Sequence, residues 1–182
     1  MPSLTWSLSH DPRDLLTLEA EWNTILDRAS RRSIFLTWDW AALWWEAFGT
    51  GRELWLYRFN AGDSPVAVVP LVRTKHTLGP LHWHSLELIG TPEHTGDPDH
   101  VDLVALPEFA IAVADSLVIA LQETTEQWDL LDLNGLHPES SLRNAVQALG
   151  VRVIENPDPD EPGSACAYFD LPPAWEIYER DI

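Results

Sequence analysis

Residues 35–48 read Phe-Leu-Thr-Trp-Asp-Trp-Ala-Ala-Leu-Trp-Trp-Glu-Ala-Phe, and they limit the fold more than any other stretch. Four of the ten tryptophans lie here. At helical period, Trp38, Ala41, Ala42, Trp45 and Phe48 share one face, and Trp40, Leu43, Trp44 and Ala47 take most of the other. Only Asp39 and Glu46 interrupt. A helix apolar nearly all round is expected to be buried on several sides. Thr37 can cap its start, Asp39 suits its positive end and Gly49 can end it.

Such a helix needs layers around it. The 182 residues suffice for one domain with a core, and 45% hydrophobic and 22% charged residues are ordinary globular values. Before the helix, residues 4–8 alternate as a strand. Ser9 or Asp11 then caps a helix with Leu15, Leu18, Trp22, Ile25 and Leu26 inward. After it, residues 53–59 and 66–72 read as a hairpin around Asn60–Asp63, with Pro70 suggesting an edge or a bulge. Residues 81–89 form a third extended run, 101–105 a short strand, and 128–133 another. Pro107 opens a helix with Phe109, Val113, Leu117 and Leu121 inward, and a further helix spans 138–149. Residues 151–154 and 167–171 read as late strands around an acidic, proline-rich linker. The order predicts an α/β sandwich with a mixed, mostly antiparallel central sheet flanked by helices.

Composition excludes several functions. A formal net charge of −18 opposes nucleic-acid backbones and anionic lipid surfaces. No apolar run is long enough to span a bilayer, and no leader pattern begins the chain, so membrane insertion is not expected and the location reads as cytoplasmic. The one cysteine, Cys166, allows neither an intrachain disulfide nor a multi-cysteine metal site. No P-loop, Gly-x-Gly-x-x-Gly or Gly-x-Ser-x-Gly occurs.

Two groups of residues remain as site candidates. Trp40 and Trp44 are the tryptophans left to line a groove once Trp38 and Trp45 are assigned to the core. His94, Asp97, Asp99 and His100 crowd a polar loop between two strands, with Glu93 and Asp102 beside them. Joined to His82 and His84, this loop would suit a metal-dependent hydrolase. The spacing matches no fixed metal motif, so a solvated loop explains it better.

Five segments in order resemble a known pattern: residues 35–48, 67–71, 99–103, 128–133 and 171–178. Together they look like the GNAT-superfamily acyltransferases of the BioF2-like or CelD-like type, relatives of the FemAB peptidoglycan aminoacyltransferases. The resemblance implies a GNAT-like three-layer sandwich over residues 1–171, with residues 172–182 starting a second half. It implies an N-acyltransferase in which the second half holds acetyl-CoA or another acyl-CoA and the first half builds the acceptor groove. In that family the pyrophosphate lies on a glycine loop before the helix after the fourth strand. The matching stretch here is Val104-Ala105-Leu106-Pro107-Glu108, which has no glycine, lacks one amide and adds a negative charge. This half is therefore expected to bind no acyl-CoA there, and to need a missing second half or a second chain. The alternative is a non-catalytic binding or assembly module that dimerises or docks through its last strand and Trp175.

Overall fold

The fold is taken from a computed structural model, which describes residues 4–92, 95, 98, 101–136 and 139–148. The expected strands at 151–154 and 167–171, Cys166 and Trp175 lie outside the described residues.

The first strand, β1 (Leu4–Ser9), leads into two short helices, α1 (Pro12–Thr17) and α2 (Glu19–Leu26). Sequence periodicity suggests one helix here, but the chain breaks at Leu18, where φ is −89° and ψ is 0°. The apolar stripe survives the break: Leu15, Leu18, Trp22, Ile25 and Leu26 are all buried. Asp11 caps α1 by accepting from the Arg13 amide at 2.9 Å.

The tryptophan helix, α3, spans Trp38–Phe48. Thr37 caps it, its hydroxyl oxygen accepting from the Trp40 amide at 3.2 Å. The expectation of burial on several sides is not met. Only Ala41 and Trp44 are buried, while Leu43 is 64% exposed and Phe48 36% exposed. The helix lies on one side of the sheet with nothing outside it among the described residues, so one stripe is covered. Trp38 is half-buried because its Nε1 reaches the Leu15 carbonyl at 2.8 Å.

Four antiparallel strands follow one another: β1 pairs with β2 (Glu53–Ala61), β2 with β3 (Ser64–Leu78) and β3 with β4 (Leu81–Leu88). The two hairpin turns use Gly62 and Gly79 at φ +61° and +58°, conformations that favour glycine. A two-residue strand, β5 (Val104–Ala105), also pairs with β3. The chain then crosses through α4 (Ala110–Gln122) to β6 (Leu130–Asp132), which lies parallel to β4. The sheet order is β1-β2-β3-β4-β6, and α5 (Ser141–Ala148) closes the described fold. The α/β class and mixed sheet expected from sequence are thus present.

Pro70 sits at neither an edge nor a bulge. The bulge is at Phe59/Asn60 instead. Pro70 is internal to β3, opposite Leu56, and its carbonyl accepts from the Ile89 amide at 3.0 Å. On that flank β3 pairs with β5 at Ala67 and Val68 and with β4 from Leu71 onward. The missing amide therefore lies where the β4 ladder ends and β5 takes over, so it falls at the seam between two partners and not within either ladder.

The strand expected at 101–105 is shortened to Val104–Ala105. Asp102 interrupts it. Its carboxylate accepts from the Leu103 amide at 2.8 Å and the Ser140 hydroxyl at 2.7 Å, and pairs with Arg31 at 3.0 Å. Ser140 in turn accepts from the Leu142 amide at 3.1 Å, which starts α5.

Candidate functional site

Register decides which side chains share a face of the sheet. Beneath α3, β3 presents Val72, Thr74 and His76, and β4 presents Trp83, Ser85 and Glu87. This face is apolar under α2 and turns polar toward the free end of the β3–β4 ribbon.

Three of these side chains form a file. Glu87 is 6% exposed and Ser85 2% exposed, both in the sheet interior. The Ser85 hydroxyl donates to Glu87 Oε1. His76 Nε2 lies 2.7 Å from the same Ser85 oxygen. The His76 ring stacks on Trp83 at 5.1 Å between centroids and 12° between planes, and it remains one-third exposed. A serine hydroxyl has one proton. While it donates to an ionised Glu87, the bond to His76 must be donated by His76 Nε2–H. Protonating Glu87 frees the hydroxyl to turn toward the imidazole. The charge of a buried carboxyl is thereby linked to the tautomer of a surface imidazole.

Burial is the main force on Glu87 and pushes its pKa above the usual carboxylate range. The Ser85 hydrogen bond opposes this, Asp132 opposite it on β6 adds to it, and His76 and Arg52 oppose it more weakly. The direction of that shift favours the neutral carboxyl relative to an exposed glutamate.

Helix α3 supplies the roof. Trp44 is 3% exposed and packs on Phe48 at 5.7 Å between centroids, with the Arg52 guanidinium 5.8 Å from its ring centre. Arg52 Nη1 donates to the Phe48 carbonyl at 2.5 Å. Trp40 lies one turn earlier, half-buried, with its ring edge-on to Phe35 at 5.0 Å. Its Nε1 sits 2.7 Å from where a Cβ on Gly90 would be. Gly90 has φ +97°, so this close approach and the turn both require glycine.

Of the site residues expected from sequence, Trp40 and Trp44 are thus on the inner side of α3. His94, Asp97, Asp99 and His100, with Glu93, lie outside the described residues. The base of their loop is described: Pro98 Cγ would lie 3.6 Å from the same Gly90 Cβ that meets Trp40. Trp40 and Pro98 thus both adjoin Gly90. His82 and His84 are on the opposite face from Ser85 and Glu87, with His84 Nδ1 3.8 Å from Asp129. Among the described residues no group of three or more His, Cys, Asp or Glu side chains is placed to hold a metal.

Sequence reasoning overlooked Glu87, Ser85, His76 and Arg52. One signal was available. In Ser85-Leu86-Glu87-Leu88-Ile89, a hydroxyl and a carboxylate occupy alternate positions of a strand that is otherwise apolar there.

Elsewhere, a groove between α2 and β5 is lined by Glu21, Thr24, Arg28, Pro65 and Leu106. Its charges are already paired, Glu21 with Arg58 at 2.7 Å and Arg28 with Glu108 at 3.1 Å. It offers no free polar group of that kind to a ligand. Among the described residues no helix is long and apolar enough to cross a membrane.

A scan against protein-family models finds no match for this chain, and a search of curated proteins finds none either.

Proposed function

We propose that this chain is the acceptor-side, GNAT-like half of an N-acyltransferase, with the acyl-CoA site supplied by a further half or a second chain. One observation carries the reading. The sheet runs through four antiparallel strands and, after the two-residue β5 on β3 and the helix α4, reaches a strand parallel with the fourth. That is the order in which the resembled family builds each half.

The entrance to α4 supports the accessory role. In a cofactor-binding half this helix would open on free amides facing the pyrophosphate. Here the Leu106 amide donates to the Val66 carbonyl at 2.9 Å, Pro107 has no amide, and the Phe109 amide donates to Leu106 at 2.9 Å. Glu108 occupies the same turn, bound to Arg28. Two amides of this turn are thus committed and a third is missing, and the carboxylate of Glu108 opposes an anion there.

Calorimetric titration of this chain with acetyl-CoA tests the accessory role; no saturable heat is expected. The acyl-transfer role is tested on the complete protein with radiolabelled acetyl-CoA and a panel of amines. A complete protein that neither binds acetyl-CoA nor labels an amine would remove the reading.

The rival, a binding or assembly module, draws on the β3–β4 ribbon, whose tip exposes Leu78 by 68% and Leu81 by 64%. Sedimentation that stays monomeric over a hundredfold concentration range would count against self-assembly through that tip.

A further inference from the structure

We infer that the free flank of β3 at Lys75–Leu78 is a docking edge for an extended peptide in which acidic and apolar residues alternate. The inference goes beyond acyl transfer and does not depend on it.

Strand β2 begins at Glu53, opposite Arg73, and among the described residues no strand accompanies β3 any farther on that flank. The chain enters β2 through a tight turn, the Arg52 amide donating to the Gly49 carbonyl at 3.0 Å, so it does not run on beside β3. Which groups face the gap follows from the other side of the ribbon. The His84 amide donates to Asp129 Oδ2 at 2.8 Å, and the His84 carbonyl accepts from the Asp129 amide at 2.9 Å. Both main-chain groups of His84 therefore point away from β3. Lys75 is its cross-strand partner, so the Lys75 N–H and C=O point away from β4, as do those of Thr77 two residues on. Two donors and two acceptors are thus presented to the open flank, at the spacing a further strand uses.

Side chains select the partner. Residues 64–86 contain no aspartate or glutamate, in a chain with a formal net charge of −18, and they contain its one lysine, Lys75. Arg73 is paired with Glu53 at 2.9 Å, whereas Lys75 is exposed and, among the described residues, in no ion pair. Lys75 shares its ribbon face with Thr77, His82 and His84, the first two hydrogen-bonded at 3.2 Å. The other face carries the exposed Leu78 and Leu81, with His76 stacked on Trp83. A strand laid along this edge places alternate side chains on those two faces, so carboxylates suit one set and aliphatic groups the other. A second copy fits less well. Edge against edge it brings lysine near lysine between two strongly acidic chains, and an edge lysine deters self-pairing. The chain's net charge also repels an acidic peptide, but that repulsion is screened beyond about 8 Å at physiological ionic strength, so the charge beside the strand matters most.

The experiment titrates the nitrogen-15-labelled chain with a short capped peptide of alternating glutamate and valine. Saturable binding is expected, with slowed hydrogen exchange at the Lys75 and Thr77 amides and no change at His76, which already faces β4. Lys75→Glu, a surface change, is expected to weaken binding about tenfold. Thr77→Pro removes an outward amide and is expected to abolish it. If Thr77→Pro does not fold, a peptide methylated on alternate amides tests the same bonds and is expected not to bind. No saturable binding, protection at other amides instead, or undiminished binding by Lys75→Glu or by the methylated peptide overturns the inference. So does self-association of the free chain that Lys75→Glu alters, which would make a second copy the occupant.

Discussion

On the face covered by α4, strands β2, β3 and β4 present Trp55, Tyr57, Phe59, Val69, Leu71 and Leu86, all with 0% exposure. On the opposite face the same strands present Leu54, Leu56, Val68 and Val72, also 0% exposed, and then, toward the end of the β3–β4 ribbon, Thr74, His76, Ser85 and Glu87. The two sets interleave residue by residue. Leu86 stands between Ser85 and Glu87, and a single step of register would exchange the two environments. The α4 face is held by apolar area and ring contacts, Tyr57 with Phe59 at 6.4 Å and Trp55 with Tyr57 at 6.5 Å. The outer part of the opposite face instead carries a few directed hydrogen bonds, among His76, Ser85 and Glu87. Apolar packing on one side thus leaves room for buried polar groups at the end of the other.

Mutations should separate the faces by size. Phe59→Ala, which empties part of the α4-side core, is expected to cost roughly 3–5 kcal/mol. Ser85→Ala strips the hydroxyl between a buried carboxyl and an imidazole, and is expected to cost about 1–3 kcal/mol. Urea denaturation of both variants at neutral pH measures the pair. A loss in Ser85→Ala as large as that in Phe59→Ala would mean the file is part of the core rather than a feature laid upon it.

The faces also respond to pH at different ends of the scale, for one shared reason. Burial is the largest cause at Tyr57, whose pKa is pushed up to about 12, with Thr124 opposing and Glu123 adding. The folded state holds the phenol proton more tightly than the unfolded chain does. Its contribution is complete below the ordinary value of 10.0 and is lost as pH rises toward about 12. That loss is roughly 2–3 kcal/mol, and Tyr57→Phe should be flat over the same window. Glu87 has the same sign lower down. Its contribution is full below the ordinary 4.5 and is lost as pH rises through its folded value. Glutamine cannot ionise, so the stability of wild type relative to Glu87→Gln should fall as pH rises above the ordinary 4.5. A difference that is constant across that range would mean the carboxyl is not buried in its charged form.

How far these faces were legible in the chain depends on period. Leu15, Leu18, Trp22, Ile25 and Leu26 announce their stripe because a 3.6-residue repeat needs no partner to be recognised, and all five are buried. The hairpins are likewise marked by local glycine chemistry at Gly62 and Gly79. Glu87 and His76 are eleven residues apart and come together only through the β3–β4 register, which local sequence does not state. Pro70 was legible as a residue that donates no ladder bond. That its missing amide faces a seam depends on β5, a strand of two residues from a distant part of the chain. The tryptophans were the hardest to divide. Nine apolar positions spread over two sides of α3 give no clue to which side the sheet will take.

That last ambiguity yields the smallest expected effect. Helical period places Leu43 on the same side as Trp44, yet Trp44 is 3% exposed and Leu43 is 64% exposed. The boundary of the covered stripe falls between neighbouring residues. If α3 faces solvent there, Leu43→Gln removes no packed contact, and glutamine is about as good a helix former as leucine. The change should stay within about 0.5 kcal/mol, and the same should hold for Leu43→Lys. Thermal unfolding with matched near-ultraviolet spectra is enough to read it. A loss several times larger in the isolated chain would mean that Leu43 is covered, and α3 would again be the helix buried on several sides that its composition suggests. A small effect on stability joined to a change in sedimentation would instead place a second molecule on that face.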